Sequence, residues 1–422
     1  MCIRDSVWTA LLILATGSLF FVAPEPGYFL LGAVLIATAN LISEFANVNY
    51  YAMLTQVATP KDVGRVSGLG WGFGYLGGII MLALVIAFQS FDWFGLDATL
   101  GLRLVAVGCA VWTLVFCIPL FLSVPEATPA AGRERVGFLR SYAVLGGDIT
   151  RIFRDARGTF WFLLASAVYR DGLAGVFTFA GSIAAITFGF DFFGVVIFGV
   201  VANIVAGIST ILSGRLDDRI GPRNVIVGSL VGLVVVGVLV FALRDLGPTV
   251  FWIGGLLLAS FVGPAQTASR SLLARLAPAG REGEIFGLYA TTGRATSFIS
   301  PMLWGLFIAL AGGVQAWGIV GILLVLAVGL ALFLFVRTTS TGPGASAGEP
   351  EWRAGLGAFL AITLPPAGIA FGIAALVRLR SGGFGRPLAV AAIVLGSVVL
   401  VLATLIVLNT LGLFGPALGI LG

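Results

Sequence analysis

Histidine is absent from this sequence, and cysteine appears only as Cys2, Cys109 and Cys117. Without imidazole, and with three scattered thiols, a His/Cys metal site is excluded and no disulfide framework is expected. A histidine-based catalytic triad has no base to work with. Charge is equally scarce: 10% of the residues are charged, against about 25% in an ordinary soluble protein. The phosphate-cradling pattern Gly-x-x-x-x-Gly-Lys does not occur, so nothing in the chain points to an ATP-driven pump. No cluster of polar groups suggests catalysis. The chain is read as a non-enzyme with no cofactor and no metal.

What is present is apolar. Hydrophobic residues make up 59% of the chain, and the mean hydropathy is +1.08. Such a chain is a polytopic membrane protein. Its 59 glycines suit membrane helices whose backbones approach closely. The net charge of +5 is explained by loop arginines that set orientation, without nucleic acid.

A span needs about 20 apolar residues. Candidates lie near 7–24, 28–50, 67–89, 101–123, 159–180, 193–213, 224–243, 249–268, 285–311 and 316–336, with two more near 355–376 and 387–412. The loops 52–66, 124–158, 214–223 and 269–284 carry Lys61, Arg65, Arg133, Arg135, Arg140, Arg151, Arg154, Arg157, Arg215, Arg219, Arg223, Arg270, Arg275 and Arg281. The intervening loops carry Arg244, with Arg103 at a helix edge. That alternation puts the first group in the cytoplasm.

The domain plan follows. Residues 1–123 form a first bundle of four helices, 124–158 a cytoplasmic linker, and 159–337 a second bundle of six. Residues 338–352 form a flexible linker, and 353–422 an accessory two-helix hairpin. Arg378, Arg380 and Arg386 in the hairpin turn conflict with simple alternation, so its topology stays open.

Two stretches repeat at an offset of 219. Leu54, Ala58, Gly64, Gly68, Leu69 and Gly74 match Leu273, Ala277, Gly283, Gly287, Leu288 and Gly293, and Asn47 falls opposite Gln266. Parallel repeats build one common class of transporter. These glycines are read as packing positions.

Gly214-Arg-Leu-Asp-Asp-Arg-Ile-Gly-Pro-Arg223 resembles the signature Gly-x-Leu-x-Asp-Arg-x-Gly-x-Arg of the major facilitators. Gly214 and Gly221 would allow a tight cytoplasmic turn. Asp218 would sit at a helix N-terminus or pair with arginine, and Arg219 and Arg223 complete the motif. The plainer reading is a basic loop obeying the orientation rule. The resemblance implies two parallel six-helix halves. The offset then maps 28–50 onto 249–268 and 67–89 onto 285–311, and leaves 159–180 and 193–213 without counterparts. The expected fold is an all-α major facilitator fold of 6+6 helices lacking its first two, plus the hairpin. The odd opening Met1-Cys-Ile-Arg-Asp-Ser6 fits an N-terminal truncation, and a chain missing part of its cavity wall is expected to transport poorly or not at all.

Asn47-Val-Asn-Tyr-Tyr-Ala-Met-Leu54, the glycine-rich run Gly64–Gly78, Tyr169-Arg-Asp-Gly172 and Phe286-Gly-Leu-Tyr-Ala-Thr-Thr-Gly-Arg294 resemble segments of the vacuole-effluxer (autophagy-related permease) family of major facilitators. The resemblance covers roughly residues 7–336 and implies release of small solutes, amino acids among them.

Ionisable groups inside spans are costly and usually face a cavity or a partner. Glu44, with Asn47 one turn on, would line a cavity, or pair with a loop arginine at the interface. Arg170 and Asp171 point about 100° apart on one helix and so need separate partners. Asp171 is a candidate coupling group and Arg170 a candidate for a substrate carboxylate, although a buried packing pair explains both equally simply. Arg294, placed about two turns into its span, either binds substrate or reaches back to the interface. Tyr75 and Gln266 complete the candidates.

The leading expectation is a secondary transporter of a small polar solute, a multi-pass protein of a bacterial cytoplasmic membrane. It would work by alternating access, with proton or ion coupling, as a monomer without nucleic-acid partners. The alternative is a non-transporting scaffold or sensor that kept the fold, for which the hairpin is the argument.

Overall fold

The computed structural model describes residues 3–23, 25–90, 98–123, 147, 150–154, 156–277, 281–334 and 336. The linker 338–352, the hairpin 353–422 and most of 124–158 lie outside the described residues. Among those described there is no strand. The helices are α1 (Ile3–Ser18), α2 (Phe29–Ala52), α3 (Val63–Ser90), α4 (Ala98–Ser123), α5 (Arg157–Ser182), α6 (Phe192–Ile220), α7 (Pro222–Ala242), α8 (Pro248–Leu276), α9 (Glu282–Ala295), α10 (Ile299–Leu310) and α11 (Gly318–Leu334). Seven helical stretches among the described residues are long and apolar enough to cross a membrane.

Helix starts follow from local chemistry. Gly221 (φ +85°) and Gly247 (φ +95°) adopt conformations that side chains disfavour. Each precedes a proline, Pro222 or Pro248, that opens the next helix. Proline at the first helical position lacks an N–H that would have had no partner anyway. Helix α6 starts differently: the Asp191 carboxylate accepts from Gly194 N at 2.8 Å.

Two expected spans end later than their apolar runs. Helix α6 continues to Ile220 and α8 to Leu276, because helical hydrogen bonding continues through the polar residues that follow. The motif loop therefore shrinks to a turn at Gly221. Gly214 is not at that turn, contrary to expectation, but buried within α6. Arg270, expected in a loop, is buried in α8 with 5% exposure.

The span expected at 285–311 is interrupted. Helix α9 stops at Ala295, residues 296–298 turn, and α10 begins at Ile299. Pro301 accounts for this. Its ring clashes with the carbonyl four residues back, that of Ser297, and it donates no hydrogen bond.

The described chain divides into two compact units. The first takes residues up to Thr59, Leu76 through α4, and Ala277–Ala290. Here α1 packs on α2 and α4. Trp8 stacks on Phe45 at 4.7 Å, and Arg103 Nε donates to Phe20 O at 2.5 Å. The second takes Pro60–Tyr75, α5–α8, and Thr291 onward. Helix α8 packs on α6 and α7, and α11 on α5, α7 and α10. Its core holds the fully buried Tyr169, Phe162, Phe261 and Phe333.

Candidate functional site

Three consecutive residues of α5 point in three directions, as a 100° step per residue requires. The Tyr169 side chain is buried, with its hydroxyl 2.6 Å from Ser269 Oγ on α8. The Arg170 guanidinium lies against Gly293 in the last turn of α9, where a Cβ on Gly293 would stand 2.9 Å from Nη1. The buried Asp171 carboxylate accepts from Ser300 N in the first turn of α10 at 2.7 Å.

The interruption gives these contacts their meaning. A helix C-terminus carries partial negative charge and an N-terminus partial positive charge. Arg170 stands at the former and Asp171 at the latter, so each charge faces the end that favours it. Thr296 Oγ1, in the turn, donates to Ala167 O of α5 at 2.9 Å. Gly172 and Gly175 let Leu326, Ile322 and Ser300 close against the same helix. Arg294 lies about three turns from the start of α9 at Glu282. It is exposed in the last turn of α9, one residue before that helix stops.

A second cluster joins α3, α6 and α8 within the second unit. The Asp218 carboxylate accepts from Gly64 N and Arg65 N, each at 2.7 Å, in the first turn of α3. Arg275 donates through Nη1 to Asp217 at 2.8 Å and through Nη2 to Asp218 at 3.0 Å. Asp217 is 2% exposed and also accepts from Ser271 Oγ. Above this cluster the glycines of α3 press on α6. A Cβ on Gly68 would meet Gly214 Cα at 2.8 Å and Thr210 O at 2.9 Å. Gly214 is thus a close-approach position, where any side chain would push the two backbones apart. Ser67 Oγ donates to Thr267 O at 3.1 Å. Arg270 donates to Ser67 O at 3.3 Å and lies 4.2 Å over the Trp71 ring. Tyr75 continues the row, stacked on Phe177 at 6.2 Å.

The remaining expected residues fall as follows. Gln266 is half-buried in α8. Glu44 and Asn47 are half-buried in α2, in the first unit. Arg219 is exposed. Arg223 donates to the carbonyls of Leu334, at 3.2 Å, and Val336, at the end of α11. Only part of the glycine repeat packs as expected. Gly64 and Gly68 are in tight contact, whereas a Cβ on Gly74 or Gly283 would meet no described atom within 4 Å.

Sequence reasoning missed Asp217, Ser271 and Ser300, and it counted Arg270 and Arg275 as loop cations. The acidic doublet Asp217-Asp218 and Pro301 were the available signals.

The family model described as vacuole effluxer Atg22 like matches residues 56–342, which is more than half of the chain. The chain belongs to the Atg22-like vacuole effluxer family. This Atg22-like chain is 29% identical over 336 residues to the uncharacterized MFS-type transporter YxiO of Bacillus subtilis, covering 78% of this chain and 76% of that one. It is 23% identical over 286 residues to Autophagy-related protein 22 of Cryptococcus neoformans, covering 63% of this chain. It spans about half of that fungal relative, 51%. Among solved structures it resembles FucP, a major facilitator transporter in the outward conformation, with TM-score 0.59 at 16% identity over 80% of this chain and 81% of that one. That likeness shows the fold, the major facilitator fold. The Atg22-like chain is a multi-pass membrane protein of an MFS-type transporter family.

Proposed function

We propose that this chain is a secondary active transporter of a small polar solute, working by alternating access in a bacterial cytoplasmic membrane. Amino acids are the first solute class to test. The observation that carries this reading is the interrupted α9–α10 segment, with Arg170 and Asp171 on its two facing ends. Ionisable groups inside spans are costly and mark substrate or ion pathways, and half-helix ends beside them form the binding sites of many transporters.

In this reading Arg170 and Arg294 offer guanidinium groups to a solute carboxylate. Asp171 is the coupling group. Protonating it removes the charge that favours the N-terminus of α10 and loosens the hold on Ser300. Glu44, Asn47, Tyr75 and Gln266 are further candidate contacts. The Asp218 cap on α3, with Arg219, Gly221 and Arg223 around the turn, holds one conformation of the cycle. Residues 1–123 and 159–337 are the two bundles that alternate, and the coupled ion is a proton. The YxiO relative in a bacterium supports the choice of membrane.

The test is uptake by the full-length protein in proteoliposomes, across an amino-acid panel, with and without a pH gradient. The expected result is saturable uptake that the gradient drives in wild type but not in Asp171→Asn. Absence of saturable flux for every solute would overturn the reading.

A further inference from the structure

A cavity of about 210 Å³ lies inside the second unit, and of the residues already described Phe177, Ile322 and Leu326 reach its lining. It is formed by the halves of α5, α6, α7, α8 and α11 remote from the Gly221 turn. Phe198, Gly199 and Ala202 of α6 face Phe251, Gly255 and Leu258 of α8 across it. Asn203 is the one polar side chain in the lining. Its amide already donates to Gly199 O at 2.8 Å.

We propose that this cavity is a binding site for an apolar chain, the acyl tail of a membrane lipid. An apolar occupant is favoured over ordered water, because a bound water needs two to four polar partners and the lining offers one polar side chain, Asn203. The space is also kept open by residue choice. Gly199 lines it, and a Cβ there would meet no described atom within 4 Å, so a larger residue would fit without a clash.

Depth identifies the occupant. Phe192 and Phe193, 85% and 68% exposed, open α6, and Trp252 and Trp317 stand near the starts of α8 and α11. Tryptophans at helix ends mark the membrane–water interface, and Phe193 stands at the same end of the bundle as Trp252 and Trp317. The lining residues of α6 run from Val195 to Asn203. At 1.5 Å per residue the last of them lies about 15 Å from Phe193. That is about half of the hydrocarbon core, the depth of one leaflet's acyl chains. The bilayer itself therefore supplies the ligand at the right level. This site is independent of the transport reading.

The experiment uses the full-length protein in nanodiscs with a fatty acid carrying a diazirine at its chain end, followed by peptide mapping. Label is expected on α6 and α8 around Phe198 and Phe251, and unlabelled fatty acid should compete it away. Gly199→Leu should lower that label about tenfold by occupying the space, while label on the exposed Val231 and Val235 of α7 stays constant. Label confined to exposed positions, or label around Phe198 that neither competitor nor Gly199→Leu reduces, overturns the proposal. Should Gly199→Leu fail to elute as a folded species, Gly199→Ala and the wild-type competition decide it. Flux assayed in parallel keeps a failed lipid site distinct from a failed transporter.

Discussion

The Asp171 carboxylate and the Ser300 amide meet at 2.7 Å, between one long apolar helix and the first turn of a half-helix. Ser300 is fully buried, so its N–H depends on this acceptor. Replacing Asp171 with leucine leaves the donor unsatisfied and should cost about 1–3 kcal/mol. Asp171→Asn keeps an acceptor and should cost less. Thermal unfolding of the two purified variants in detergent checks this, and equal losses would contradict the assigned role.

Pro301→Ala removes the ring that forbids a continuous helix through Ser297. The variant should fold at least as stably as wild type yet lose flux, because Arg170 and Asp171 would no longer face separate helix ends. Melting and uptake assays on the same preparation separate the two effects. Unchanged flux would show that the interruption is incidental.

Glycines that look alike in the sequence should respond differently. Gly68→Ala forces a methyl against the Gly214 and Thr210 backbone and should destabilise by about 1–3 kcal/mol. Gly74→Ala enters open space and should be neutral or slightly stabilising, since alanine favours helix. Paired melting curves test the contrast.

Arg275 bridges Asp217 and Asp218, and Asp217 is almost wholly buried. Arg275→Gln leaves that carboxylate without its cation and should cost about 3–5 kcal/mol. Adding Asp217→Asn should recover much of the loss. A double-mutant cycle measures the coupling, and additive losses would refute it.

Among the described residues, helices stand at ten of the expected positions, seven of them in stretches long and apolar enough to cross a membrane, because long apolar runs leave few other structures open to the chain. Their ends were not legible in the sequence. Helices α6 and α8 run on into polar residues that resemble loop, and Arg270 in that stretch turns inward to Trp71 and Ser67. The Gly221 turn was readable from Gly-Pro. Gly214 was misread because a turn glycine and a packing glycine differ only in what lies opposite, and Gly68 is 146 residues away. The repeat located matching helices without giving matched surroundings, as Gly64 against Asp218 and the open Gly283 show. That Arg170 and Asp171 need separate partners was legible from helix geometry. Asp171's partner was not, since Ser300 N becomes available only where Pro301 stops the helix.

The most direct measurement is gradient-driven uptake of labelled amino acids into proteoliposomes holding wild-type protein or Asp171→Asn. Saturable uptake that follows an imposed pH gradient in wild type, and ignores it in the variant, is the predicted result. Identical gradient dependence in both proteins, or no saturable uptake of any small polar solute by wild type, would contradict it.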